Sequence, residues 1–431
     1  MKVAYDISIL GAGYLNPKAR TGVFRVVEAL FLAIAAQSNV DLMAIALNQT
    51  STLWDEISAN LYLESFNSEP KKYLDSCYGS KLNLDNIYLS AVNLHRSLIQ
   101  FSVQNHPLIY KSAQGFKILL ELAAKINVDV KNIDKKYDLY HSSYYPLPSS
   151  NILGSTPRVL TIYDLIPILF PKVVTPKVNR QFIKTLESID FNKDWIICIS
   201  QHTKNDFCQR TRINPERVFV TPLAASKKFY PVNEISIIKS VLKSHNISES
   251  PYLLSISTLE PRKNLTLLIK CFCQIVTENP NLDLNLVLVG VSGWKNKDIF
   301  EIVEKNSQLK SRIIFTGYIP DNDLSAIYSG AIAFVYPSLY EGFGLPPLEA
   351  MQCGIPVITS NTSSLPEVVG NAGITIDPTQ SDELCQAMLD VVNNSKLRAQ
   401  MSLLSLEQAS KFSWKKCAEQ TVEVYKIAAN K

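Results

Sequence analysis

The sequence contains no apolar run that approaches the 18 or so residues of a membrane-spanning helix. Residues 1–6 resemble a strand and not the basic head of a signal peptide. The eight cysteines are scattered: only Cys271 and Cys273 lie close together, and no Cys-x2-Cys pair occurs, which argues against a disulfide framework or a zinc site. We therefore expect a chain that is neither exported nor membrane-spanning and that works in a reducing cytoplasm.

A complete dinucleotide-binding fingerprint is also missing. Gly11 and Gly13 follow a predicted strand from Val3 to Leu10, and we predict a loop at these glycines. The third glycine and a nearby acidic residue do not occur at the required spacing. The pair of glycines therefore does not predict a dinucleotide cofactor.

Hydrophobic residues are plentiful enough for more than one core. They make up 46% of 431 residues, a length that one core does not usually organise, so we predict two domains. Residues 1–230 carry 26 lysines and arginines against 19 acidic residues, net +7, whereas residues 231–431 carry 17 against 20, net −3. A basic first half fits an anionic acceptor or membrane surface, and it fits ordinary surface variation equally well.

The most informative stretch runs from Ser338 to Gly354 and follows an apolar run at residues 331–336. We predict a strand, a loop opened by Gly342 and Gly344, and a helix with two prolines in its first turn, where proline is tolerated. Free N–H groups of such a loop and of the helix N-terminus can bind a phosphate.

Two carboxylates, Glu341 and Glu349, flank this predicted phosphate cradle. Acids beside a phosphate make sense where they bind hydroxyl groups, as a sugar and a ribose would supply. The motif Glu341-x7-Glu349, with Gly-Phe-Gly-Leu-Pro-Pro inside it, resembles the donor-site signature of retaining glycosyltransferases of family 4.

That resemblance spans nearly the whole chain and is weakest between residues 51 and 136. It implies the GT-B fold, an α/β architecture of two facing Rossmann-like domains with the active site in the cleft between them. The implied division is residues 1–230 for the acceptor-side domain, 231–250 for a linker, 251–411 for the nucleotide-sugar-binding domain and 412–431 for a helix that returns to the first domain.

Basic residues and a further glycine extend the implied donor site. The segment from Arg20 to Arg25 resembles the family's first-strand loop, in which a glycine, here Gly22, lets backbone N–H groups approach the donor diphosphate. Arg262 and Lys263 reinforce the positive pole of a predicted helix start, which suits a diphosphate. Some family members carry another arginine where Ser257 stands, so Arg262 and Lys263 must neutralise the charge here.

Tyr163 and Asp164 end a predicted strand at the position where the family usually has His-Asp. Tyrosine forms hydrogen bonds but does not titrate near neutrality, unlike histidine. Asp164 is expected to accept or orient the proton of the acceptor hydroxyl, and its simpler alternative role is to cap the following turn.

The resemblance thus implies a catalytic set and a donor-binding set. The catalytic residues are Glu341, Asp164 and Tyr163, and the donor-binding residues are Gly22, Arg262, Lys263, Tyr318, Ile319, Gly342, Phe343, Gly344, Leu345 and Glu349, with Tyr318 and Ile319 near the nucleotide base. We interpret residues 321–323, Asp-Asn-Asp, as a turn and helix N-cap and not as a metal-binding Asp-x-Asp. No metal and no cofactor is expected.

The predicted reaction is metal-independent transfer of a sugar, with retention, from a nucleotide-diphospho-sugar to a hydroxyl of a glycan or lipid-linked oligosaccharide in polysaccharide biosynthesis. The Pro-Arg-Lys-Asn string at 261–264 and the Gly317-Tyr318 loop resemble mannosyltransferases, which favours GDP-mannose as donor. Alternatives are a UDP-sugar-dependent glycosyltransferase or a non-catalytic sugar-nucleotide-binding protein, the latter suggested by Tyr163 and Ser257. The Glu341-x7-Glu349 loop argues against an epimerase or a phosphorylase of the same fold. The expected location is the cytoplasm, with peripheral contact to the anionic inner face of the membrane, and no nucleic acid partner is expected.

Overall fold

The computed structural model describes residues 1–16, 20, 22–47, 52–66, 73–80, 85–105, 107–293 and 295–430. The strands of the first half are β1 (Lys2–Asp6), β2 (Asp41–Ile45), β3 (Tyr78–Ser80), β4 (Val128–Val130), β5 (Leu139–Ser142), β6 (Arg158–Ile162), β7 (Trp195–Cys198) and β8 (Val218–Val220). Its helices are α1 (Ser8–Leu15), α2 (Gly22–Ala35), α3 (Leu53–Phe66), α4 (Asp85–Asn105), α5 (Pro107–Asn127), α6 (Ser150–Leu153), α7 (Ile166–Leu169), α8 (Pro176–Glu187) and α9 (Gln201–Thr211).

The second half begins with α10 (Ile235–Ser244), which lies inside the predicted linker 231–250 and packs on α13. The strands are β9 (Tyr252–Ile256), β10 (Asn285–Val289), β11 (Ile313–Gly317), β12 (Ala333–Tyr336), β13 (Val357–Ser360) and β14 (Ile374–Ile376). The other helices are α11 (Leu265–Glu278), α12 (Lys297–Lys305), α13 (Asp321–Ser329), α14 (Leu345–Gln352), α15 (Leu365–Val369), α16 (Ser381–Asn393), α17 (Ser395–Ser410) and α18 (Trp414–Ala429).

Each half is built on a parallel sheet, and in the described residues each of these sheets has six strands. The first has the order β2-β1-β5-β6-β7-β8 and the second β11-β10-β9-β12-β13-β14. Parallel strands are covered by helices on both faces, so they read as continuous apolar runs, as residues 286–289 of β10 do. In both sheets the order reverses beside the first strand, and open α/β sheets bind ligands at this place, beyond the carboxyl ends of the strands. The predicted α/β class is confirmed.

The glycines at 11 and 13 lie in a helix, so the predicted loop is wrong. β1 ends at Asp6, and α1 runs through both glycines. A Cβ atom on Gly13 would lie 2.2 Å from the Phe24 ring, and one on Gly11 would lie 2.8 Å from the Ala59 nitrogen. Both glycines therefore let α1 pack closely on α2 and α3. The apolar residues after Asp6 resemble a continuing strand because a short buried helix has no polar face.

The two halves are joined by direct contacts between their elements. The Glu367 carboxylate accepts the backbone N–H groups of Gln201 (2.8 Å) and His202 (2.7 Å) at the N-terminus of α9. At the end of the chain, α18 packs on α2, and the Tyr425 hydroxyl lies 2.6 Å from Nδ1 of His141. Burial lowers the pKa of His141 to about 3, so this histidine is a neutral packing residue. No helix in the described ranges is long and apolar enough to cross a membrane.

Candidate active site

A cleft of about 510 Å³ opens between the carboxyl ends of the two sheets. Its walls are formed by residues that follow strand ends in both halves and by the first turn of α2. All the residues predicted for catalysis or donor binding line this cleft: Gly22, Tyr163, Asp164, Arg262, Lys263, Tyr318, Ile319, Glu341, Gly342, Phe343, Gly344, Leu345 and Glu349. Thr21, beside Gly22, lies outside the described residues. The fold therefore brings together segments that are more than 300 residues apart in sequence.

The loop between β12 and α14 adopts the predicted strand, loop and helix arrangement. α14 starts at Leu345 with proline in its first turn, and Gly344 precedes it with φ +128°, a value that favours glycine. A Cβ atom on Gly342 would lie 2.0 Å from the Tyr163 carbonyl oxygen, so this position must be glycine for the two halves to approach. Among the described residues no side chain caps the start of α14, and the two prolines that follow Leu345 have no N–H, so the backbone N–H groups available to a ligand here are those of Gly344 and Leu345, which line the cleft.

Glu341 is the centre of a polar network in this loop. Its Oε1 atom lies 2.6 Å from Nζ of Lys263 and 2.8 Å from Nη1 of Arg262, and it accepts hydrogen bonds from Ser338 (2.6 Å) and Tyr336 (3.0 Å). Among the described residues, none donates a hydrogen bond to the other oxygen, Oε2. One carboxylate oxygen is thus committed to the protein, and the second is left for a ligand hydroxyl.

The charges of this network balance without a ligand. Burial would raise the pKa of Glu341, but Arg262 and Lys263 outweigh it and hold the pKa at about 2. Arg262 also lies 2.6 Å from Glu260 and donates to the Tyr340 carbonyl oxygen at 2.6 Å. An ammonium group has three N–H bonds, and Lys263 uses two of them for Tyr336 and Glu341. The two basic residues are therefore largely neutralised by protein carboxylates, and the third N–H of Lys263 is uncommitted.

Glu349, in α14, is buried and meets an arginine that the sequence interpretation did not include in the site. Its Oε1 atom lies 3.2 Å from Nη1 of Arg25, and its Oε2 atom accepts a hydrogen bond from the Tyr328 hydroxyl at 3.2 Å. Burial raises the pKa of Glu349, although Arg25 opposes this effect. Arg25 follows Gly22 by three positions, about one helical turn, so both residues can face the cleft. This spacing from Gly22 is the sequence feature that could have predicted Arg25 as a site residue.

Tyr163 and Asp164 lie where the cleft meets a smaller cavity in the first half. The Oδ1 atom of Asp164 accepts the N–H of Ile166 at 2.8 Å, so this side chain caps the turn that leads into α7. Burial raises the pKa of Asp164, and the Ile166 hydrogen bond and Arg262 oppose the increase. Burial also raises the pKa of Tyr163, so the phenol stays neutral. Asp164 combines the capping role with a position in the cleft.

Two further cleft residues, Gly290 and Ser257, were not predicted as site residues. Gly290 follows β10 with φ +144°, and a Cβ atom there would lie 1.9 Å from the Ser257 carbonyl oxygen. The Ser257 hydroxyl is buried and has no hydrogen-bond partner among the described residues. Tyr318 is 70% exposed at the mouth of the cleft, whereas Ile319 is buried. Gly290 could have been predicted as a site residue from its position directly after an apolar strand.

The acidic pair at residues 321 and 323 opens α13 in its first turn, and Pro320 occupies the N-cap position, so the predicted N-cap role is wrong. Asp321 lies 4.0 Å from Arg25, and Asp323 lies 2.8 Å from Nε2 of His245. The two carboxylates therefore have separate partners. In the described part of the chain, no group of three or more His, Cys, Asp or Glu residues is placed to hold a metal ion.

The two parallel α/β halves thus meet at a cleft that is lined by glycines, carboxylates and cations. The family model "Glycosyl transferases group 1" matches residues 238–403. "O-antigen chain mannosyltransferase B" from Escherichia coli is 34% identical over 296 residues, which cover 68% of this chain and 75% of the relative. "Serotype-specific mannosyltransferase WbdA" from Escherichia coli is 29% identical over 303 residues, which cover 70% of this chain but 37% of the relative. The chain belongs to the glycosyl transferases group 1, which confirms the predicted family and enzyme class.

A solved structure supports the GT-B fold independently of the Glu341-x7-Glu349 motif. Anabaena Alr3699/HepE, in a crystal structure in complex with UDP and glucose, matches with a TM-score of 0.61 over 98% of both chains. The sequence identity is 16%, so this likeness concerns the fold alone. The predicted GT-B architecture is confirmed over the length of the chain.

Proposed function

We propose that this glycosyltransferase moves a mannosyl group from GDP-mannose to a hydroxyl of a glycan or lipid-linked oligosaccharide in polysaccharide biosynthesis. The observation that carries the proposal is the cleft in which Glu341, bound to Lys263 through one oxygen, faces the uncapped start of α14 across a glycine loop. Support for the sugar comes from two relatives whose names describe mannosyltransferases, one of them acting on the O-antigen chain.

In this proposal the donor spans the cleft. The uncommitted N–H of Lys263, the backbone N–H groups of Gly344 and Leu345 before the two prolines of α14, and the backbone at Gly22 bind the diphosphate. The second oxygen of Glu341 accepts a hydroxyl of the transferred sugar, and Glu349 holds the ribose hydroxyls. Tyr318 and Ile319 contact the base at the mouth of the cleft.

The proposed reaction exchanges one bond at the anomeric carbon for another, with retention of configuration. The acceptor oxygen bonds to the anomeric carbon as the bond from that carbon to the diphosphate oxygen breaks. The acceptor hydroxyl loses its proton to the departing diphosphate or to Asp164, whose Oδ2 atom is not used by the Ile166 hydrogen bond. Tyr163 orients the groups through its neutral phenol, and no metal takes part.

The proposed donor is tested most directly by comparing how tightly the protein binds different nucleoside diphosphates. GDP should bind at least tenfold more tightly than UDP or ADP, a difference of about 1.4 kcal/mol, because a site that hydrogen-bonds one base leaves its groups unpaired with another. Isothermal titration of the three nucleotides measures the order of their affinities.

A second candidate, a UDP-sugar donor, is favoured by the UDP in the Anabaena complex. Tighter binding of UDP would remove the mannose proposal and leave the glycosyltransferase assignment intact.

A peripheral membrane contact is proposed for the surface of α4 and α5. Ile87 and Leu94 lie seven residues apart on one side of α4, and they are 59% and 53% exposed. On α5, Leu108 and Leu119 are 78% and 68% exposed, and Lys111 is exposed as well. Apolar side chains that are interspersed with lysines suit the interface of an anionic bilayer, and residues 1–230 carry net +7.

The protein should co-sediment with anionic vesicles at low salt and be released as added salt screens the surface charges. The double variant Leu94→Ser, Leu119→Ser should reduce the bound fraction several-fold because it removes the inserted apolar surface. Leu403→Ser is the matched control, since Leu403 is 71% exposed on α17 of the other half. If the protein bound neutral vesicles equally well, or if added salt did not change the bound fraction, the net positive charge of residues 1–230 would have no role in membrane binding.

A further inference from the structure

A second cavity, of about 240 Å³, lies in the first half directly behind the active-site cleft. Tyr163, Asp164 and Arg262 line both spaces, so the cavity is continuous with the cleft at Asp164. Its outer wall is apolar and consists of Val173, Val174, Val178 and Phe182, from α8 and the segment before it. A pocket with apolar walls and a few polar groups is the usual environment for a small organic ligand.

Apart from the Asp164 carboxylate at the boundary with the cleft, the uncommitted polar groups of this cavity are uncharged. The Thr161 and Thr185 hydroxyls are used within the protein: Thr161 lies 2.8 Å from His141 Nε2, and Thr185 donates to the Gln181 carbonyl oxygen at 3.1 Å. By contrast, the Tyr144 hydroxyl, the Tyr163 hydroxyl and the Gln181 amide make no hydrogen bond to other described residues. The Tyr144 and Tyr163 rings are 6.2 Å apart and inclined by 59°. These groups can bind hydroxyls without placing a charge beside them.

No cation in the lining is available for an anionic ligand. Arg262 is the basic residue of this cavity, and it is committed to Glu260 at 2.6 Å and to Glu341 at 2.8 Å. The adjoining carboxylate of Asp164 would repel a second negative charge. A phosphate or carboxylate moved into this space would lose its hydration without gaining a counter-ion, which is costly.

We propose that this cavity binds the terminal sugar ring of the acceptor, and that it selects a neutral glycan end over a phosphorylated or acidic one. The inference rests on the proposed function and adds the acceptor class to it. The ring's C–H faces pack against Val178 and Tyr144, while its hydroxyls bond to the tyrosines and to Gln181. One hydroxyl then reaches Asp164 at the boundary with the cleft, where the anomeric carbon of the donor lies. Tyr144, Val178 and Gln181 are the specificity-determining residues of this site.

The test uses two probes, methyl α-D-mannopyranoside and mannose 6-phosphate, with the GDP-bound protein. Val178→Trp fills the cavity from its 39% exposed rim, and Ile183→Trp, 42% exposed on the same helix but outside the cavity lining, is the matched control. Saturation-transfer NMR and titration should show that methyl mannoside binds wild type and Ile183→Trp at least tenfold more tightly than Val178→Trp. Mannose 6-phosphate should bind wild type at least tenfold more weakly than methyl mannoside. GDP affinity should be the same in all three proteins.

A second variant, Gln181→Leu, keeps the test valid if the tryptophan disturbs α8. It should raise the KM for the glycan acceptor about tenfold and leave the rate of donor hydrolysis in the absence of acceptor unchanged. The proposal is overturned if Val178→Trp and Gln181→Leu both bind methyl mannoside as wild type does, if wild type binds neither probe, or if it prefers the phosphorylated one. These results leave GDP binding and donor turnover intact, whereas failure of the proposed function would abolish both in wild type.

Discussion

Replacing Lys263 with methionine should lower kcat/KM for the nucleotide-sugar donor by about 100- to 1,000-fold, the usual effect of losing one preorganised donor to developing negative charge. The ammonium is buried and lies 2.6 Å from Glu341 and 2.7 Å from the Tyr336 hydroxyl, so it is held in place before the donor arrives. Methionine keeps the apolar stem of the side chain and removes only the charge and its N–H bonds. The loss should therefore appear in the transfer step and not in the folding of the loop.

Lys263→Met should also shift the acidic limb of the pH–activity profile to higher pH. In the wild type, Arg262 and Lys263 hold the pKa of Glu341 at about 2 against the effect of burial, so the carboxylate stays ionised until the pH falls to that value. Without Lys263, burial is opposed mainly by Arg262 and the pKa rises. Activity in the variant should therefore be lost at a higher pH than in the wild type as the solution is acidified.

Steady-state rates of release of the nucleoside diphosphate, measured across pH, check both expectations. Asp323→Asn is the control, because Asp323 pairs with His245 outside the cleft lining. A chelator should leave the wild-type rate unchanged. An activity within twofold of wild type in Lys263→Met, or a strict need for a divalent metal, would contradict the assignment of the diphosphate to this lysine.

Substitution of the two glutamates should separate donor binding from transfer. Glu349→Ala should weaken binding of the nucleotide, because Glu349 is assigned to the ribose, whereas Glu341→Ala should mainly lower kcat, because Glu341 is assigned to the transferred sugar. Loss of a hydrogen bond to a charged group costs roughly 1.5–3 kcal/mol, which is about a 10- to 150-fold effect. Among the described residues, Glu349→Ala leaves Arg25 with the weaker contact to Asp321 at 4.0 Å, which adds to the loss.

Titration with GDP and steady-state kinetics distinguish the two effects. Glu341→Gln keeps the shape of the side chain, but it removes the charge that binds Arg262 and Lys263, so it should resemble Glu341→Ala in kcat. Glu301→Ala is the control, because Glu301 pairs with Lys297 on the exposed surface of α12. If both cleft variants behaved as wild type, neither glutamate would belong to the donor site.

Much of the cleft wall that the second half supplies could be predicted from the sequence because its signals are local. Glu341 and Glu349 are eight residues apart in one strand, loop and helix segment, and the glycines and prolines between them restrict the backbone in a recognisable way. Arg262 and Lys263 likewise stand at a predicted helix start. The structure places all four in one cleft, since each follows the carboxyl end of a strand in the same sheet.

Other local patterns were misleading because the backbone responds to tertiary packing. Gly11 and Gly13 resemble a loop in the sequence, yet they lie within α1, where their missing side chains admit Phe24 and the backbone of α3. The predicted linker, residues 231–250, contains α10, which packs on α13. Intrinsic propensity is a weak signal that such contacts override.

Residue types at short, regular spacings were enough to predict the family, the α/β class and the loop that carries the glycines and glutamates. The pairing of the charges depends instead on the folded chain. Arg25 meets Glu349 across 324 positions of sequence, Gly342 approaches the Tyr163 carbonyl oxygen, and Arg262 and Lys263 bind Glu341. The first two contacts arise from the approach of the two halves, and no pattern within either half encodes the distance between them. The third joins the ends of β9 and β12, which are neighbours in one sheet although Lys263 and Glu341 are 78 positions apart in the sequence.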